Sequence, residues 1–86
     1  MKAEKMLTLF EELAEKMQIN IVQGKGDFQG GLCSVNEETY IVLNKIKPIV
    51  QRLNIMAREF GKLNTNNIFV QPILRAYMED IQQDIF

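Results

Sequence analysis

The chain has 86 residues, no histidine, a single cysteine (Cys33) and a net charge of −1. Without imidazole there is no Ser–His or Cys–His nucleophile pair and no histidine-ligated metal centre, and one thiol forms no internal disulfide. The slightly acidic balance withholds the general attraction to polyanions, and no run approaches the roughly 18 to 20 apolar residues of a membrane span.

From Lys2 to Met17, the apolar residues Met6, Leu9, Phe10, Leu13, Ala14 and Met17 recur at the three-and-four spacing of one helical face. Glu11 and Glu12 interrupt the N-terminal region before the apolar core of a signal peptide is complete, so a cytoplasmic chain is expected. Ile19-Asn20-Ile21-Val22 reads as a short strand, broken by Gly24, Gly26 and Asp27. The glycine-dense segment 24–31 matches neither phosphate-loop fingerprint and precedes a strand rather than a helix, so it reads as a flexible connection.

Leu32–Val35 and Thr39–Asn44 flank Asn36-Glu37-Glu38, a hairpin-length connection. With residues 19–22 they predict a small antiparallel sheet of about three strands (19–22, 32–35, 39–44), since a lone hairpin is only marginally stable. Pro48 suits the first turn of a helix over 48–63, whose Ile49, Leu53, Met56, Ala57, Phe60 and Leu63 share a face. Asn64-Thr65-Asn66-Asn67 ends it, Ile68-Phe69-Val70 is a candidate edge strand, and Pro72 opens a last helix over 72–85. Its stripe is Ile73, Leu74, Tyr77, Met78, Ile81 and Ile85. One α+β domain spanning 1–86 follows, and the methionines on these stripes read as core filling.

Three segments carry a family resemblance: Gly31-Leu32-Cys33-Ser34-Val35, then Tyr40-Ile41-Val42-Leu43-Asn44, then Ile55-Met56-Ala57-Arg58-Glu59-Phe60-Gly61-Lys62-Leu63. Together they resemble the core of small bacterial zincin metallopeptidases, in which a hairpin ending in an apolar strand and Asn precedes a helix bearing Ala-His-Glu-Leu-Gly-His-Leu. Here both histidines of H-E-x-x-H are replaced by cations, Arg58 and Lys62, and the glutamate remains as Glu59. Protonated side chains offer zinc no lone pair, so the resemblance implies a non-catalytic relative without metal. The whole chain is also similar to short uncharacterised bacterial proteins built as a leading helix, a Gly-Gly-Leu-Cys hairpin and two further helices, a likeness that implies fold and source but no function.

Cys33 and Ser34 lack a histidine base, and Cys33 reads as a structural residue of its strand. Glu11, Glu12, Glu15, Glu37 and Glu38 fall on a helix's polar face and in a turn, which suits a solvated role better than paired acid–base work. Charge is uneven along the chain: residues 45–63 carry Lys45, Lys47, Arg52, Arg58 and Lys62 against Glu59 alone. These five cations are the candidate contacts for an anion or a partner, beside the plainer reading of an ordinary solvated helix face, and Arg52 and Glu59 fall on one flank within reach of each other. The expected function is therefore a non-catalytic cytoplasmic domain acting by contact with a protein partner or a second copy, without cofactor or membrane. Anion or nucleic-acid binding through the 45–62 helix is the alternative, with residual metallopeptidase-like activity a further and weaker one.

Overall fold

A computed structural model describes residues 2–27 and 30–83, and its elements follow the breaks in the sequence. Helix α1 (Ala3–Lys16) has Glu4 in its first turn and Lys16 in its last, charges that complement the helix dipole. It closes at Met17, and Gln18 adopts a left-handed φ of 59° that turns the chain into β1 (Ile19–Gly24). Strands β2 (Gly30–Val35) and β3 (Glu38–Asn44) form a hairpin through Asn36 and Glu37. Both residues have positive φ, 51° and 69°, the twist that a two-residue connection needs. Helices α2 (Ile49–Gly61) and α3 (Pro72–Gln83) complete the α+β fold.

The sheet is mixed, not antiparallel as the sequence predicts. Its order is β1-β3-β2, with β1 parallel to β3 (Ile21 beside Ile41) and β2 antiparallel to it (Leu32 beside Ile41). The expectation assumed that strands close in sequence pair with each other. Instead the chain leaves β1 at Gly24, crosses the end of the sheet, descends as β2 on the far side and returns as β3 between the two. The apolar Tyr40–Leu43 run therefore occupies the centre, where a strand is shielded on both edges.

Asn44 pins the crossing. Its side chain is fully buried; Nδ2 donates to the Gly26 carbonyl at 2.7 Å and Oδ1 accepts from the Ile46 amide at 3.3 Å. The Lys45 amide adds a backbone bond to the Gly24 carbonyl at 2.9 Å. Gly30 is equally constrained, because its φ of +102° is left-handed and a Cβ there would drive into the Val42 carbonyl.

All three helices contribute to one core against the Ile19, Ile21, Ile41 and Leu43 face of the sheet. Phe10 is its hub, with the Phe60 ring stacked at 5.7 Å and the Tyr77 ring edge-on at 6.1 Å. The opposite sheet face carries Val22, Cys33, Val35, Tyr40 and Val42, and three of these, Val22 (44%), Cys33 and Val35 (54%), stay exposed.

Other boundaries differ by a residue or a turn. Residues 68–70 form no strand; Val70 is buried in the core, while Phe69 is exposed beneath the Lys16 ammonium, 5.4 Å from the ring centroid. Pairing with the sheet is unavailable to them because the segment lies against α1 on the helical layer. Ile85 of the predicted third stripe, and Phe28 and Gln29 of the glycine-dense segment, fall outside the described residues. Among the described residues no helix is long and apolar enough to cross a membrane.

Replacing Asn44 by Ala orphans the Gly26 carbonyl and the Ile46 amide, and should cost about 2 kcal/mol in urea unfolding. Gly30→Ala should cost more than Gly31→Ala in the same assay. Both positions have positive φ, yet only at Gly30 does the new methyl meet backbone.

Candidate functional site

The five candidate cations separate in space. Lys45 is exposed in the turn that follows β3, and Lys62 extends past the end of α2, 60% exposed. Lys47, Arg52 and Arg58 are half-buried and line one pocket of about 200 Å³ together with Gln51, Asn54 and Ile55. The pocket runs along one side of α2, from Lys47 ahead of the first turn to Arg58 in the last, and the first turn contains no acidic residue. None of the six lining residues is a carboxylate.

Arg52 anchors this wall. Its Nη1 donates to Gln23 Oε1 at 3.1 Å, tying α2 to the penultimate residue of β1. Its Nε is buried and meets no hydrogen-bond acceptor among the described residues. The expected pairing with Glu59 is not formed. Glu59 Oε1 instead sits 3.8 Å from Arg58 Nε and 3.7 Å from Lys62 Nζ. Those distances are long for charge-assisted hydrogen bonds, but Glu59 is about nine-tenths buried, and the two cations beside it offset the cost of taking its charge out of water.

Asn54 is oriented by α3. The Tyr77 hydroxyl donates to Asn54 Oδ1 at 3.1 Å, which leaves the amide NH₂ as the group Asn54 has to offer. Burial pushes the Tyr77 phenol above its ordinary value of 10.0. Nothing in the sequence marked Asn54 or Tyr77 for this pairing, since both lie on helix faces that read as solvent and core.

At the opposite end of the sheet a wider recess of about 750 Å³ is bordered by Glu11, Glu15, Glu37 and Glu38. Glu38 Oε2 accepts from the Tyr40 hydroxyl at 2.7 Å, and this bond, with the carboxylate's charge, pushes the Tyr40 phenol up. Cys33 lies in strand β2, as expected, and is exposed there because β2 is at the edge of the sheet. No group of three or more histidine, cysteine or carboxylate side chains suited to a metal occurs among the described residues.

Comparison of the chain with protein-family models, with curated proteins and with solved structures finds no match.

Tyr77 generates a pH-dependent prediction. Its neutral phenol is favoured in the folded state, so its contribution is complete below pH 10 and is lost as pH rises through the raised folded value. Tyr77→Phe should therefore lose about 1 kcal/mol near neutrality with the Asn54 bond. In urea unfolding at pH 8 and pH 11 the gap between variant and wild type should narrow at the higher pH.

Proposed function

We propose that this chain is a non-catalytic interaction domain and that the β2 edge is its contact element, with a second copy of the chain as the partner. One observation carries the reading: Gly30–Val35 is a six-residue edge strand with no charged residue and no proline, and its Leu32, Cys33, Ser34 and Val35 side chains are all exposed. Natural sheets usually blunt such edges with lysine, proline or a bulge, because unpaired N–H and C=O groups recruit another strand. The β1 edge is better guarded, with Asn20 and Gln23 along it and Lys25 at its end.

A second copy suits β2 for reasons of symmetry and charge. Antiparallel pairing of identical strands across a two-fold axis is self-complementary, and an uncharged strand brings no like charges into opposition. The product is a continuous six-stranded sheet, which joins the exposed Val22 and Val35 faces of two chains into one apolar surface. The degenerate H-E-x-x-H frame fits the same non-catalytic reading: Arg58 and Lys62 neutralise the nearly buried Glu59, a structural task that needs no metal. An exposed free thiol at Cys33 suits a reducing, cytoplasmic setting.

Light scattering on the eluting peak tests this. The wild-type mass should be twice the 10.0 kDa chain mass. A Cys33→Lys/Val35→Lys double variant, altered only at exposed positions, should elute at the single-chain mass with an unchanged circular dichroism spectrum. A wild-type monomer at the highest soluble concentration would sink the self-pairing.

A further inference from the structure

We propose that the pocket beside α2 is a binding site for a small dianionic oxyanion, a phosphate or phosphate monoester, held by Lys47, Arg52 and the Asn54 amide. This goes beyond the edge-strand reading and does not depend on it.

The argument is an imbalance of donors over acceptors. Three cations and no carboxylate line about 200 Å³, and of the three only Arg58 stands in an ion pair among the described residues, with Glu59, so Lys47 and Arg52 carry the excess of charge. The Arg52 guanidinium is already positioned by Gln23 and has its Nε buried without an acceptor. A neutral amide oxygen directs Arg52 without cancelling its charge, so the wall keeps its positive potential. Asn54 faces the pocket with its acceptor oxygen occupied by Tyr77, which leaves an NH₂ donor. The positive end of the α2 dipole adds to the same field, with no acidic residue in its first turn to offset it. Ile55, nearly buried, supplies an apolar floor. Such a wall matches a group that is rich in acceptors, doubly charged and able to take a guanidinium fork.

Size narrows the ligand. Sites for drug-sized molecules span roughly 300 to 1,000 Å³, so a pocket of about 200 Å³ admits a phosphate group with a short substituent and leaves no room to enclose a nucleotide. A nucleic-acid strand would present the same oxyanion from a chain of phosphates. Only this end of the sheet would attract it, since Glu11, Glu15, Glu37 and Glu38 crowd the other.

The test is a titration of the intact chain with inorganic phosphate, followed by amide chemical shifts at constant ionic strength with chloride as the balancing anion. Saturable shifts in the Lys47–Arg58 segment are expected, with one phosphate per chain. Asn54→Asp keeps the acceptor for Tyr77 and puts a carboxylate at the pocket, and it should weaken binding at least tenfold, as should Lys47→Gln. Lys62→Gln should leave affinity within twofold, since Lys62 lies outside the pocket. Absence of saturation overturns the site. Equal losses in Lys62→Gln and Lys47→Gln overturn it too, because they would report diffuse screening. An eight-nucleotide single strand that binds far more tightly than phosphate, with affinity falling steeply in salt, would overturn the small-ligand assignment in favour of nucleic acid.

Discussion

The structure depends on how the chain crosses the end of its own central strand. Because β3 enters last, between two strands already laid down in sequence, the chain leaving Gly24 has to reach the far side of the sheet past the end of β3, and buried Asn44 ties Gly26 to Ile46 there. An asparagine suits the position because its amide offers a donor and an acceptor at once. Gly26 needs the donor and Ile46 the acceptor, and no apolar residue of that volume provides either. A charged aspartate would satisfy the amide but place its second oxygen against the Gly26 carbonyl. Asn44 also holds Ile46, in the short segment that leads through Pro48 into α2.

That crossing also separates the chain's charges. Chain direction carries the cations to the end of the sheet where β1 and β3 exit, and the carboxylates to the end where they begin. A nearly neutral protein thereby acquires two ends of opposite sign. Net charge alone therefore describes it poorly: the local field at either end governs which small ions or groups collect there. The uncharged β2 edge runs from one end to the other, Gly30 beside Leu43 and Val35 beside Glu38.

The helices were legible because their apolar residues repeat at a spacing only a helix turns into a stripe; α1, α2 and most of α3 follow it. Strand positions were legible too, from β-branched and aromatic runs between glycines. Pairing was not. Nothing local in Ile19–Val22 says whether it meets β2 or β3, and the choice rests on a long-range crossing whose determinant, Asn44, reads in the sequence as the polar end of an apolar run. The same limit applies to the cations. Five of them within one segment were evident from composition, but which three share a pocket depends on Gln23, nearly thirty residues upstream, and on Tyr77 from the last helix.

Glu59 shows how one residue can keep its place while its task changes. On a helix, positions one before and three after a glutamate lie close enough to flank its carboxylate, which is the geometry that lets two imidazoles and a glutamate share a metal and its water. With Arg58 and Lys62 in those places the same spacing gives an ion cluster instead. A nearly buried carboxylate between two cations is costly to break from either side, because removing one partner leaves charge with less compensation. The cluster thus binds Glu59's negative charge to Lys62 and Arg58 rather than to the pocket, and Arg52, facing only the neutral oxygen of Gln23, remains the strongest uncompensated cation on the wall. In this chain it is the absence of imidazole, together with the retention of that glutamate, that divides the helix into a neutralised C-terminal end and a positive N-terminal one.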